Sequence, residues 1–264
     1  MRDTPLEPLL KRLLRPAWER LLRAVTRGVG IRRVINGTPF YVDSRTRNWF
    51  SETYDSGVTA LLREKLQPGD EVWNVGANVG LHVLQSCALV GRQGKVVAFE
   101  PNPHAVTLLR RNVHLNRFDE MVEVQSVAVG EHAGQIDFYV DGANPMARAE
   151  APNPLLPNAR AITVPVVTLD EFASQKQRRP KCIIMDIEGW EIGALKGART
   201  LLEGVAGGVI LIAELHPGAW SWSGYSRDDM EALIEKFCLE PVALSGQRDP
   251  LSEHGQVWLR YRSA

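Results

Sequence analysis

From residue 58 onward the chain alternates between two hydrophobic periods. Short apolar runs bounded by turn residues predict buried strands: EVWNV (71–75), KVVAFE (95–100), MVEVQSVAV (121–129), CIIMDI (182–187) and VILIAEL (209–215). Between them, apolar positions recur at helical spacing in VTALLREKL (58–66), GLHVLQSCALV (80–90), PHAVTLLRRNVHLN (103–116) and EIGALKGARTLLEG (191–204). Pro68-Gly69 stops the first of these helices. A helix near 227–238 and strands near 241–244 and 256–262 complete the series. Strands alternating with helices imply βαβ units, so the expected class is α/β, with a mostly parallel sheet and helices on both faces. Such sheets bind ligands beyond the carboxyl ends of their strands.

Two stretches break this rhythm. Residues 134–169 hold GQIDFYVD, then a loop with Pro145, Pro152, Pro154 and Pro157, then ITVPVVTLD. This predicts two antiparallel strands inserted around a long loop, and such loops often serve as lids or binding loops. Thr168 and Glu171 have the spacing of a capping box that opens a short helix. At the other end, residues 34–48 predict a turn and short strands, with Asn36-Gly37 as a hairpin signal. Before them, Leu9, Leu10, Leu13, Leu14, Ala17, Trp18, Leu21, Leu22 and Val25 form an apolar stripe at helical spacing. Lys11, Arg12, Arg15, Arg20 and Arg23 occupy the other face. The expected division is a basic amphipathic extension over 1–33 and one catalytic-size domain over 34–264. The extension either packs on its own domain, or contacts a protein partner or an anionic membrane face through residues 6–27.

Composition narrows the classes. Across 264 residues, 31 basic and 31 acidic side chains cancel, which argues against a nucleic-acid partner. Charge is nevertheless segregated: residues 1–33 carry nine Lys or Arg against Asp3, Glu7 and Glu19. Cys87, Cys182 and Cys238 are widely spaced and form no CxxC pair, so zinc knuckles and disulfide scaffolds are not expected. No window approaches 18 uninterrupted apolar residues, and charges interrupt any signal-peptide core. The expected setting is cytoplasmic, with the inner membrane face as the surface open to the extension.

Chemistry-bearing residues collect where strands end. Asn74-Val75-Gly76-Ala77-Asn78-Val79-Gly80 is a glycine-rich strand-to-helix turn, where Gly76 permits close approach to a ligand and Gly80 permits tight packing. It is not GxGxxG. Glu100, in Phe99-Glu100-Pro101-Asn102, ends the next strand and can accept from both hydroxyls of a ribose, or can serve the helix that follows. At the end of the third strand, Ser126 and Val127 stand where an adenine ring would lie. Asp186-Ile187-Glu188-Gly189-Trp190-Glu191 clusters three carboxylates, which suits a general base, a metal or helix capping. Glu214 and His216 sit at i and i+2 and so face the same side of a strand, either into one cleft with His216 as a base near neutral pH or as a hydrogen-bonded pair that orients the loop. Trp220, Trp222 and Tyr225 follow in a loop that could take an acceptor or simply pack.

The runs GDEVWNVGANVGLHV, VVAFEPNP, IIMDIEGWEIGALKGA and LIAELHP, in this order, resemble the FkbM family of S-adenosylmethionine-dependent methyltransferases over roughly residues 50–262. The resemblance implies a Rossmann-like class I methyltransferase fold with an antiparallel last strand. It also implies S-adenosylmethionine at the glycine turn, ribose on Glu100, and acceptor hydroxyls on sugars, lipids or other natural products. Tyr54-Asp55 matches an aromatic-acidic pair of the family and would close over the cofactor. Asn74 departs from it, because the family usually has an acid there. Asp186 is the neighbouring carboxylate that could substitute. In the implied reaction Asp186, Glu188, Glu214 or His216 takes the acceptor proton, or a divalent cation on these groups lowers its pKa. A non-catalytic cofactor-binding module and an NAD-dependent dehydrogenase are the rival classes.

Overall fold

The computed structural model describes residues 16–18, 20–22, 24–26, 28–144, 146–149, 156–203 and 208–262. A hairpin, β1 (Ile31–Ile35) and β2 (Thr38–Val42), precedes the main domain. Asn36 and Gly37 have φ of 47° and 77°, so the Asn-Gly signal is realised as a left-handed two-residue turn. The hairpin begins at Ile31, inside the stretch assigned to the extension. Then follow α1 (Ser56–Lys65), β3 (Glu71–Val75), α2 (Leu81–Val90), β4 (Lys95–Phe99), α3 (Pro103–Leu115) and β5 (Val122–Gln125). After an inserted region come α4 (Leu169–Lys176), β10 (Cys182–Met185), α5 (Glu191–Lys196), α6 (Arg199–Glu203), β11 (Ile210–Leu215), α7 (Arg227–Lys236), β12 (Leu239–Ala243) and β13 (Gly255–Tyr261).

Seven strands form the main sheet in the order β12-β13-β11-β10-β3-β4-β5. The pairs among β11, β10, β3, β4 and β5 are parallel, and β13 runs antiparallel to both neighbours. This is the expected class I methyltransferase topology. The chain leaves β3 in one direction through β4 and β5, then returns on its other side through β10 and β11, so the switch point lies between β3 and β10. Strand parity splits the core. Trp73, Ile183 and Leu211 pack under α4, α5, α6 and α7, while Val72, Ile184 and Ile212 pack under α1, α2 and α3.

The structure departs from the sequence pattern in four places. The run 121–129 is not one strand: β5 stays in the main sheet, and β6 (Ala128–Val129) pairs with β9. The insertion is a four-stranded sheet, β6-β9-β7-β8, built from β7 (Gly134–Val140), β8 (Arg148–Ala149) and β9 (Arg160–Val167) as well as β6. Helix 191–204 is cut at Gly197, whose carbonyl accepts from Asp170 N–H, while the Asp170 carboxylate accepts from Thr200 and Leu201 N–H and caps α6. Residues 217–223 coil into a 3-10 helix. Thr168 caps α4 as expected, through Glu171 N–H, and the reciprocal capping box forms at Ser226 and Asp229 on α7.

Residues 16–18, 20–22 and 24–25 are helical, in keeping with the apolar spacing there; Leu9, Leu10, Leu13 and Leu14 lie outside the described residues. Among the described residues of the stripe, Trp18, Leu21 and Val25 are each more than half exposed, so packing on the domain does not cover these three. No helix of the described residues is long and apolar enough to cross a membrane.

One aromatic cluster braces the sheet beneath β3 and β4. Phe172 of α4 packs edge-on against Trp73 (5.1 Å) and Phe99 (4.9 Å), one from each of the two central strands. Phe172→Ala therefore opens a cavity at the centre of the larger core cluster. A loss of about 3–5 kcal/mol is expected in urea unfolding, with an unchanged m-value.

Candidate active site

The carboxyl ends of β3, β4, β10 and β11 meet over one cleft. At the end of β3, Gly76 has φ 78°, and a Cβ built there would stand 1.7 Å from the backbone oxygen of Asp186. The close approach that requires glycine is thus to the neighbouring strand end. Gly80 likewise presses on α3, where a Cβ would meet Leu109 Cδ1 at 2.4 Å. These contacts bind the glycine turn to the acidic segment and to the third helix.

Three cavities share Gly76 as a common wall. The first is an apolar slot of about 30 Å³ lined by Phe99, Pro101, Val127, Phe138, Ile187 and Trp190, among others. The second, of about 50 Å³, is lined by Asn78, Glu100, Pro101, Asn102, Asp186 and Glu188, together with Phe138 and Asn144 of the inserted region. The third, of about 430 Å³, lies among Trp49, Phe50, Tyr54, Ala77, Asn78, Gly80, His82 and Asp186. The structure thus gathers Tyr54, Gly76, Ala77, Asn78, Gly80, Glu100, Pro101, Asn102, Val127, Asp186 and Glu188 around one continuous depression. It leaves out two of the residues predicted for the cofactor. Ser126 is exposed beside the sheet and lines none of the three. Asn74 is 1% exposed and faces into the sheet, where its Nδ2 lies 3.4 Å from the Ile184 carbonyl and its Oδ1 has no hydrogen-bond partner. Asp186, by contrast, lines two of the cavities.

Glu100 is almost fully buried, and each carboxylate oxygen accepts one backbone N–H, from Asn78 at 2.7 Å and Asn102 at 2.8 Å. It does not cap the following helix, because Asn102 does so by accepting from His104 N–H. Each Glu100 oxygen keeps a lone pair for a further donor. Burial raises its pKa to about 7, against the lowering effect of the two N–H groups.

The second constellation centres on His216. Its Nδ1–H donates to Glu191 Oε1 at 2.9 Å, and its Nε2 lies 3.8 Å from Glu188 Oε2 and 3.9 Å from Asp186 Oδ1. Glu191 is fully buried and also accepts from Gly189 N–H and Trp220 Nε1–H, both at 2.8 Å. Glu188 reaches the group from a left-handed backbone position, φ 53°. Glu214 completes it, bound to His254 Nε2 at 2.7 Å and, through Gln256, linked to Asp55. Burial works to lower the His216 pKa, but the hydrogen bond and charge of Glu191, with Asp186 and Glu188 nearby, lift it to about 10. Desolvation raises the Asp186 carboxyl well above its ordinary range, Glu214 adds to this, and His216 opposes it. Glu188 is raised for the same reasons.

Glu214 and His216 are not among the residues lining the three cavities, whereas Asp186 and Glu188 are. Two triads bring ligand atoms within 4.8 Å of one another, Asp186-Glu188-His216 and Glu214-His216-His254, and their mixed carboxylate and imidazole donors suit a divalent transition-metal ion. Of the aromatic loop, Trp220 is buried as a Glu191 donor and Tyr225 donates to Glu131, so these two pack; Trp222 stays half-exposed.

Sequence reasoning placed Glu191 at a helix start but did not give it the histidine as partner. It also missed Phe138, Trp49, His254 and Gln256, which reach the cleft from distant segments. The Glu191-to-His216 bond yields a direct test. In Glu191→Gln the acceptor charge is gone, so the His216 pKa, followed by NMR of its ring protons, is expected to fall from about 10 by about 1–3 units.

A family model described as the methyltransferase FkbM domain matches residues 74–238. The hexuronic acid methyltransferase AglP of Haloferax volcanii is 27% identical over 172 residues, covering 62% of this chain and 63% of that protein. The chain thus spans under two thirds of the length of this curated relative. An O-methyltransferase from Bacillus cereus, solved with S-adenosylhomocysteine, aligns at TM-score 0.45 and 13% identity over 79% of this chain and 81% of that one. A methyltransferase from Geobacter sulfurreducens aligns at TM-score 0.44 and 16% identity over 99% and 98%.

Proposed function

The chain belongs to the FkbM methyltransferase family, and on that basis we propose that it transfers a methyl group from S-adenosylmethionine to a hydroxyl oxygen of a sugar. Glu100 carries this reading. A buried carboxylate at the end of the second central strand, held by two backbone N–H groups with a lone pair left on each oxygen, is suited to the two hydroxyls of a ribose. The apolar side chains of the slot, Phe99, Val127 and Ile187 among them, have the chemistry to pack on a purine face, and the larger cavity beside Asp186 suits the cationic methionine end. Asp186 there provides the negative charge that Asn74, turned into the sheet, does not. The sugar acceptor is supported by the likeness to a hexuronic acid methyltransferase and by an acidic cleft fitted to a neutral hydroxyl.

When bound, the donor supplies an activated methyl on a sulfonium that leaves as a neutral thioether. The protein has two tasks: alignment, and removal of the acceptor proton. Asp186 lines the cavity and its carboxyl is raised above the ordinary range, so its carboxylate would take the proton of the acceptor hydroxyl as the methyl passes from sulfur to oxygen. His216, cationic at neutral pH, is a poor base; it balances Asp186 and Glu188. Glu191 and Trp220 fix the ring. A divalent cation on Asp186, Glu188 and His216 would take the place of the His216 proton and acidify the acceptor, so each assay is run with and without chelator.

Calorimetry tests the donor site. S-adenosylhomocysteine is expected to bind at micromolar affinity, NAD not to bind, and Glu100→Ala to weaken binding by about tenfold or more, the scale of lost charge-assisted hydrogen bonds. Binding of NAD in preference would overturn the reading. Rate against pH tests the base, using a panel of glycosides that includes a hexuronic acid glycoside. The rate is expected to rise with pH as Asp186 loses its proton, with that limb above the ordinary carboxylate range. Asp186→Asn should cost about 10²–10⁴-fold. In His216→Asn the limb should move to still higher pH, because the cation that lowers the Asp186 pKa is gone.

A further inference from the structure

Exposed apolar surface is concentrated at one end of the chain. Among the described residues seven large apolar side chains are exposed, and six of them fall between residues 18 and 41: Trp18 (54%), Leu21 (52%), Val25 (71%), Val29 (57%), Val34 (38%) and Tyr41 (40%). The first three recur at helical spacing, on one face of the helical residues. On the hairpin, Val34 pairs with Pro39 and Arg32 with Tyr41, all exposed, while Ile35, Phe40 and Val42 face the core. One surface of the hairpin is thus apolar with an arginine in it, although nothing among the described residues covers it.

The same region is cationic. Residues 1–33 hold nine Lys or Arg against three acids in a chain whose net charge is zero. Arg111 of α3 bonds the Gly28 carbonyl and ties the segment to the domain. A groove of about 700 Å³ runs between Val29, Pro39 and Tyr41 on one side and Arg111, Arg117 and the His114–Asp119 pair on the other. Arg110 and the Arg45–Asp43 ion pair line a second groove next to it.

We propose that the helical N-terminal residues and the outer face of the β1–β2 hairpin form a docking surface for an anionic lipid bilayer. Charge complementarity selects this occupant. Exposed Arg20 stands on the helical residues opposite Trp18, Leu21 and Val25, and Arg32 lies across from Tyr41 on the hairpin, so two elements each carry cationic and apolar side chains, the pairing that seats aromatic rings at the headgroup level and cations on lipid phosphates. The surface is spread over a helix and a strand pair and does not form a single apolar cleft shaped for a peptide. The proposal is independent of the methyl-transfer reading, since none of these residues lines the cleft.

The test is co-sedimentation of the full chain with vesicles of equal parts phosphatidylcholine and phosphatidylglycerol, against vesicles of phosphatidylcholine alone. Binding is expected on the anionic vesicles only, and it should fall steeply between about 0.05 M and 0.5 M salt. Trp18→Ala/Leu21→Ala/Val25→Ala should weaken it by about tenfold or more, because it removes three inserted side chains. Val34→Ser/Tyr41→Ser, on the hairpin, should weaken it separately; these are exposed positions, and an unchanged far-ultraviolet circular dichroism spectrum confirms the fold. Equal recovery on both vesicle types, no recovery on either, or recovery unaffected by both variants overturns the proposal. So does light scattering that finds a dimer which the triple variant dissociates, because the face would then belong to a second copy of the chain.

Discussion

Where β3 and β10 end side by side, Gly76 lies against the backbone oxygen of Asp186 so closely that no side chain fits between them. That contact holds the site together. It places the glycine turn and the acidic segment in one wall, and it makes Gly76 common to the apolar slot, the Glu100 cavity and the larger cavity. A parallel sheet brings this about only at its switch point, where two adjacent strands send their chains in opposite directions and leave a crevice open. The aromatic trio of Trp73, Phe99 and Phe172 lies under β3 and its other neighbour, β4, and ties those two strands together.

Electrostatics gives this wall its chemistry. Asp186, Glu188, Glu191 and Glu214 converge on the His216 and His254 side, far too much negative charge to be left unbalanced in a half-buried cleft. Glu191 is satisfied by three donors and acts as a fixed anion at the back. Its bond turns the His216 ring so that Nε2 faces Asp186 and Glu188, which stand nearest the cavities. The outcome is a division of labour. The inner carboxylate orients the ring, the imidazole balances charge, and the outer carboxylates line the cavities.

The inserted sheet and the N-terminal region extend this core in different directions. The insertion contributes Phe138, Asn144 and Ala147 to the cavity walls, so it completes the pocket instead of merely hanging over it. The N-terminal helix and hairpin stand apart from the cleft, and carry their apolar and basic residues outward.

The sequence by itself determined the class and the strand ends. Short continuous apolar runs with helices between them specify a parallel sheet, and a parallel sheet specifies where ligands go; Glu100 and Asp186 could therefore be singled out from their positions alone. Local chemistry was legible for the same reason, as in the Asn36-Gly37 turn and the Thr168 cap. Tertiary structure decided whatever depended on a partner far along the chain. An apolar run cannot say which sheet it joins, so the split at Ser126 was hidden. A helical period cannot show that Gly197 bonds Asp170 and cuts the helix. Asn74 sits in the family's motif, but strand parity turns it into the core, away from the cavities. Glu191 reads as an ordinary helix-opening acid until β11 delivers His216 to it across 25 residues, because a hydrogen bond is a matter of distance in space and sequence records only distance along the chain.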